Sequence, residues 1–264
     1  ALQLYSLLIS YFDLVSHPAP LKVIYTSSSR DHEVSYKEVE KEFSEMGRDI
    51  SFIHESSSFK STLLKVLDSV TSRNIFFLVD DIIFIRPVDL TFARSVDPLS
   101  HVLSFRHSPN LKSSYTQNKN QIPPRFDDFK DTAGLLEFSW FEQGCEWSDP
   151  WSVDGQVLST AEVRAITKTS NFFAPNSFET ALKLFNTLCT GRSGLCYKES
   201  KILNLPINRV QAEYENISGS ISPDYLLSQW SAGMMLDLGK FNGYTPTATH
   251  EEHTVSFKPR VKSI

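Results

Sequence analysis

The stretch Asn74-Ile-Phe-Phe-Leu-Val-Asp-Asp-Ile-Ile-Phe-Ile-Arg-Pro87 constrains the fold of this chain more than any other. An apolar run from Ile75 to Val79 leads straight into two adjacent carboxylates, Asp80 and Asp81. A second apolar run, Ile82 to Ile85, follows with no turn residue between. Runs this short and this rich in Ile, Val and Phe read as strands buried in a covered sheet. Carboxylates are costly to bury unless they are paired or hold a metal. The two acids are therefore expected at the C-terminal edge of an α/β sheet, where such sheets bind ligands. Paired oxygens there suit a hard divalent cation, Mg2+ or Mn2+, and such a cation commonly arrives with phosphate.

The segments before this stretch alternate. Leu21 to Thr26 and Asp49 to Ile53 read as strands. Tyr36, Val39, Phe43 and Met46 recur at helical spacing, as do Phe59, Leu63, Val66, Leu67 and Val70. Leu4, Leu8 and Tyr11 predict an amphipathic helix at the very start, without the basic n-region of a signal peptide. A helix in first position implies a strand ahead of it. The βαβαβ order predicts an α/β fold with a mostly parallel central sheet flanked by helices. His101 to Arg106 and Leu135 to Trp140 read as further strands. Between them residues 107–134 form a long polar loop, the kind that often binds or covers a ligand. Helices are predicted near Thr160 to Ile166, after Asn176, and from Asp224 to Met235. Asn176-Ser-Phe-Glu179 has the form of a capping box.

Length and charge narrow the function classes. A chain of 264 residues suits one large domain. Net charge is −5, with no run of Lys and Arg, which argues against nucleic acid as a partner. No apolar stretch reaches membrane-spanning length, so no transmembrane segment is expected. Cys189 and Cys196 are spaced for a small disulfide; free thiols in a reducing compartment are the other reading, with Cys145 left over in either case. The unpaired count favours a cytoplasmic protein, in reach of a membrane surface, while the sequon Asn216-Ile-Ser218 keeps a secretory lumen open.

Other polar residues stand out. Trp147-Ser-Asp-Pro-Trp-Ser-Val-Asp-Gly-Gln156 places Asp149 and Asp154 among indole rings, which commonly pack on sugar faces. Asp154-Gly155 is also a turn signal. Ser27, Ser28 and Ser29 follow the first strand and are candidates to meet a nucleotide. Arg106 ends a strand on the expected ligand edge and is a candidate to neutralise a diphosphate. Thr249-His-Glu-Glu-His253 offers His250 and His253; its spacing is not that of a zinc protease.

Strand, Asp80-Asp81, strand after a βαβαβ half resembles the DxD region of GT-A nucleotide-diphospho-sugar glycosyltransferases. Val79 stands where that motif has its first acid. The resemblance implies that Asp81 binds the metal, that Asp80 faces the metal or the donor ribose, and that His250 completes the metal site. It implies a nucleotide-binding half over 1–106 and an acceptor half over 107–264 of a single domain. An inverting reaction would use Asp154, or next Asp149, as base; a retaining one would need none. The implied activity is transfer of a sugar from a nucleotide diphosphate to a glycan or lipid-linked acceptor, in polysaccharide biosynthesis for example. A nucleotidyltransferase and a non-catalytic carbohydrate-binding protein remain the alternatives. An aspartyl phosphatase is disfavoured, since the Asp-x-Asp-x-Thr pattern is absent.

Overall fold

The structure is a computed structural model and describes residues 1–115, 117–130, 132, 134–208 and 219–260. The sequon at 216–218 lies outside the described residues. The elements used below are α1 (Leu2–Leu14), β1 (Leu21–Tyr25), α2 (Arg30–Glu45), β2 (Ile50–His54), α3 (Phe59–Ser69), β3 (Asn74–Ile75), β4 (Ile82–Phe84), α4 (Leu90–Ser95) and β5 (His101–Ser104). The second half adds β6 (Asp127–Asp128), β7 (Leu135–Ser139), β8 (Gln156–Ser159), α5 (Thr160–Thr169), α6 (Pro175–Lys183), β9 (Ser193–Tyr197), β10 (Ile202–Asn204), α7 (Pro223–Ser231), β11 (Met234–Leu236) and β12 (Phe257–Pro259).

Local chemistry accounts for several boundaries. Ser29 and Ser58 cap α2 and α3 by accepting from His32 N and Ser61 N, contacts typically worth about 1 kcal/mol each. The expected capping box is displaced. Asn176 lies inside α6, which starts at Pro175, and Ser177 Oγ accepts from Ala174 N at 3.0 Å. Proline at the first helical position already fixes φ there. The helix expected over 224–235 stops at Ser231, because Gly233 takes φ +76 and turns the chain into β11.

The central sheet has six strands in the order β6-β7-β9-β5-β8-β3. It is mixed: β5 and β9 run parallel, with Leu103 opposite Leu195, and the other neighbours are antiparallel. β1 and β2 form a separate parallel pair, and β4 pairs antiparallel with β10. The alternation of side chains along the strands divides the core in two. Leu103, Leu135, Val157 and Leu195 pack with α1 and α7 residues on one face. Val102, Leu136, Leu158 and Cys196 pack with α3, α5 and α6 residues on the other. The result is an α/β fold with helices flanking a central sheet. No helix among the described residues is long and apolar enough to cross a membrane.

Asp80 and Asp81 do not continue a strand. Residues Phe76 to Val79 run on from β3 without regular pairing, and Ile82 N donates to Val79 O at 3.1 Å. The acids thus occupy a tight turn that redirects the chain into β4. Two neighbouring carboxylates, each short enough to sit at a bend, replace the Gly or Pro that usually marks one. β3 is the last strand of the six-stranded sheet, and β1 belongs to the separate pair. Each has one edge without a strand partner among the described residues. Both edges line the same cavity, of about 1380 Å³. The apolar end of this cavity is walled by Leu4, Leu7, Val23, Ile75 and Leu78, and its polar end by Asp80, Asp81, Arg106, Asp149, Asp154 and His250.

Candidate functional site

The polar end is assembled from four separated segments. Asp81 is held from both sides. Its main-chain oxygen accepts from Leu205 N at 2.8 Å, and its carboxylate lies 3.4 Å from Asn204 Nδ2. Asn204 also anchors the C-terminal segment: its N donates to Thr249 O and its O accepts from Glu251 N. One edge residue of β10 therefore sets both Asp81 and His250. Asn204 is wholly buried in an otherwise apolar strand. That single polar residue inside Ile202-Leu-Asn-Leu205 was the available signal for a residue that spacing arguments passed over.

Asp154 owes its position to Gly155. Gly155 has φ +81, and a Cβ there would meet Ile202 Cδ1 at 2.5 Å. Its N donates to Phe77 O at 2.9 Å, and its O accepts from Phe105 N at 3.1 Å. The Asp-Gly turn and the placement of a functional carboxylate are therefore one device. Arg106 Nη1 donates to Asp154 Oδ2 at 2.7 Å, and both residues are buried. The Gln156 side chain, oriented to satisfy both its ends, accepts from Arg106 Nε at 3.3 Å and donates to Asp154 O at 3.0 Å. His250 Nε2 lies 3.8 Å from Asp154 Oδ2.

Two carboxyls in this region resist ionisation. Asp81 is half-buried on the cavity wall. This enclosure, then repulsion from Asp154 and Asp80, pushes its carboxyl well above the usual range. Asp80 opens more widely to the cavity and is likewise pushed up by enclosure, with the Ala1 α-amino group as its nearest countercharge. The adjacent acids thus face different ways: Asp81 toward Asp154 and Asn204, Asp80 toward α1. Among the described residues Arg106 is the only guanidinium lining this end and it is turned to Asp154, so carboxyl groups outnumber cations.

A second group of charges lies beside the first. Lys183 Nζ pairs with Asp149 Oδ2 at 2.8 Å, Arg106 Nη2 approaches Asp149 to 3.9 Å, and Ser152 Oγ donates to Glu179 Oε1 at 2.7 Å. Burial pushes Asp149 up to about 6, against the pull of Lys183 and Arg106. Its Oδ1 is buried with no hydrogen-bond partner. Glu179, assigned to a helix cap by its spacing, instead sits on the cavity wall.

A third group supports His250. Glu146 is buried and its carboxylate accepts from Ser114 Oγ at 3.0 Å and from Thr249 Oγ1. Burial pushes Glu146 up, but Arg106, His250 and the Thr249 hydroxyl together hold it below the usual range. His107 is buried between Ser104 Oγ and Glu146 O, and burial followed by repulsion from Arg106 lowers it to about 3, so it is a neutral strut. Nothing in the pattern around Glu146 or Thr249 marked either residue in advance; both lie in segments without periodicity.

Several expected residues lie elsewhere. Ser27 is half-buried and Ser28 exposed, and the cavity wall takes Thr26 instead. His253 packs edge-on to Phe241 and Tyr244 and pairs with Glu251, away from Asp154. Trp147 and Trp151 are 0% exposed, in the core with Phe126, Phe138 and Phe178, so their rings are not available to a sugar. All three cysteines are free, and Cys189 and Cys196 are buried, which sets aside the disulfide. The long polar loop contributes Tyr115 and Gln117 to the cavity wall.

No protein-family profile and no curated protein matches this chain. Among solved structures, it is similar to an apo UDP-glucose pyrophosphorylase, with 12% identity over 70% of this chain and 75% of that one and a TM-score of 0.37. A UDP-glucose pyrophosphorylase complexed with UDP-glucose gives 10% identity, 69% and 74% coverage and a TM-score of 0.36. A UTP-bound UGPase from Acinetobacter baumannii gives 11% identity, 76% coverage of each chain and a TM-score of 0.40. Likeness at this level carries no argument about what this chain does. The functional reading rests on the site.

Proposed function

We propose that the polar end of the cavity binds the diphosphate of a nucleotide sugar with Mg2+ or Mn2+, and that the chain transfers the sugar to a hydroxyl of a glycan or lipid-linked acceptor. The observation that carries this reading is the meeting of Asp81, Arg106, Asp154 and His250 on one cavity wall, with more carboxylates than cations. A divalent cation would relieve that excess. Carboxylate oxygens and an imidazole are donors such a cation accepts. Among the described residues no group of three or more His, Cys, Asp or Glu closes into a metal cluster. Asp81 and His250 would therefore hold the ion with water and phosphate oxygens, the way Mg2+ is commonly bound. The ion would supply charge neutralisation on the leaving diphosphate.

The protein groups then divide the remaining work. Arg106 keeps Asp154 in place and offers a fixed positive charge to the phosphates. Asp149, with one oxygen unpartnered and affinity for a proton near neutral pH, is the carboxylate able to take the proton of an attacking hydroxyl. Asp154, engaged by Arg106, serves better beside the cation than as the base.

Nucleotidyl transfer is the second reading. The grip of Arg106 on Asp154 favours it, because attack by a phosphate oxygen needs no protein base. Products separate the two. Nucleotide sugars with Mn2+ and an acceptor would yield the free nucleoside diphosphate in glycosyl transfer. A nucleoside triphosphate with a sugar 1-phosphate would yield pyrophosphate in nucleotidyl transfer. Titration of UDP and GDP with and without Mn2+ tests what both readings share. Nucleotide binding that ignores the metal would overturn both, and sugar binding without nucleotide would leave a carbohydrate-binding protein.

A further inference from the structure

The hydrogen bonds behind His250 run in one direction. Glu146 is a carboxylate and can only accept. Thr249 Oγ1 gives its single proton to Glu146 Oε2. The same Thr249 oxygen lies 3.0 Å from His250 Nδ1, so in that contact it must accept, and Nδ1 must carry the ring proton. In the neutral ring Nε2 is then the nitrogen with the lone pair, and it faces the cavity 3.8 Å from Asp154 Oδ2.

We propose that Glu146 and Thr249 are positioning residues that lock His250 in the tautomer with Nδ1 protonated and Nε2 open. The consequence for cation binding rests on the function proposed above; the tautomer does not. Among the described residues, the charged and polar groups placed against His250 are Asp154 from the cavity, Arg106 beyond Asp154, and Thr249 with Glu146 behind the ring, and Asp81 lines the same cavity. A neutral Nε2 beside carboxylates gains little from them by itself. It suits a ligand that is positive and brings no proton.

The fold invests heavily in Glu146. Glu146 is 7% exposed, and Thr249 is 2% exposed. His107 Nε2 meets its main-chain oxygen at 3.1 Å, and its N donates to Gln121 Oε1 at 3.3 Å. The residue before it, Cys145, takes φ +60, a region that disfavours non-glycine residues. Ser114 from the long loop donates to the other carboxylate oxygen at 3.0 Å. A carboxylate so fully fixed orients the hydroxyl it touches, in the way that partners behind a ligating imidazole set its tautomer.

The test is 15N NMR of the histidine rings in the intact chain, without metal. The expected spectrum shows a protonated Nδ1 and a pyridine-type Nε2 for His250. A neutral His250 ring with its proton on Nε2 and not on Nδ1 in the unaltered chain overturns the proposal and requires no variant. Glu146→Gln is expected to let its amide donate to Thr249, turning the hydroxyl toward Nδ1 and inverting the tautomer. Thr249→Ser should preserve the assigned form and Thr249→Val should release it. A tautomer unchanged by both Glu146→Gln and Thr249→Val overturns the positioning role. Mn2+ titration then separates the two claims. Inversion of the tautomer should weaken Mn2+ by roughly 10–100-fold. If the tautomer responds as stated while Mn2+ binding ignores even His250→Ala, the cation reading of His250 fails and the positioning role stands.

Discussion

Arg106 stands between two groups of acids that differ in balance. On one side Asp154 takes the guanidinium and Asp81, with Asp80 beside it, has only Asn204; on the other Asp149 and Glu179 have Lys183 as well as the far edge of Arg106. In the first group burial pushes Asp81 up and repulsion from Asp154 and Asp80 adds to it, with no cation offsetting either. The second is nearly neutral, and its perturbation comes chiefly from burial. On the proposed function, the group short of positive charge takes a cation from outside, whereas the balanced one exchanges a proton.

Removing the shared cation should have the largest effect. Arg106→Met strands Asp154, buried at 6% exposure, and loosens Asp149. A loss of about 3–5 kcal/mol is expected from breaking one buried pair from one side, read by denaturant unfolding. An unchanged midpoint would mean that the two groups are independent. Asp81→Asn comes next, and it should act on one side only. Metal-dependent turnover should fall by several kcal/mol of transition-state stabilisation, roughly a hundredfold or more, while the protein stays folded. Asp80→Asn should cost far less; equal losses would erase the division between the adjacent acids.

The pH dependence of stability separates the groups further. Asp149 has its folded pKa raised to about 6, so the folded state binds its proton more tightly than the unfolded chain does. Stability from this group is fully present below about pH 4 and is lost as pH rises through 6. The size is on the order of 3 kcal/mol. Asp149→Asn should remove this slope in pH-dependent melting and, if Asp149 is the base, depress turnover at every pH and abolish the acid limb of the pH–rate profile. Asp81 gives a slope of the same sign, and Mn2+ should flatten the Asp81 part alone. Lys183→Met should have the smallest effect. Lys183 is 40% exposed, so about 0.5–1 kcal/mol is expected, with Asp149 moving further up.

The sequence made the first half legible because its helices and strands carry their own periodicity. β1, α2, β2 and α3 fall within a few residues of the expected positions. The second half depends on long-range pairing, which local pattern does not encode. β5 finds β9 across some ninety residues, and β4 finds β10 across more than a hundred. The mixed character of the sheet follows from those pairings. Within the site, Asp81 and Arg106 carried a signal of place because each closes an apolar run, while Asp154 stood out by its Asp-Gly turn and His250 by its His-Glu-Glu-His cluster. Asn204, Glu146 and Thr249 act through contacts made only once distant segments meet. Trp147 and Trp151 misled for the opposite reason: an aromatic pair in a polar context reads as a sugar platform, yet both rings fill the space between β7 and α6.

The unpaired edges of β1 and β3 have a consequence for handling this chain. Each presents a row of main-chain donors and acceptors beside half-buried Val23, Ile24, Phe76 and Leu78. Such edges attract any extended segment that can complete their ladders. The chain in solution is therefore expected to self-associate with rising concentration, detectable by light scattering. A charge placed on the wall of the apolar slot, as in Val23→Lys, should suppress that association while leaving the acids at the other end undisturbed.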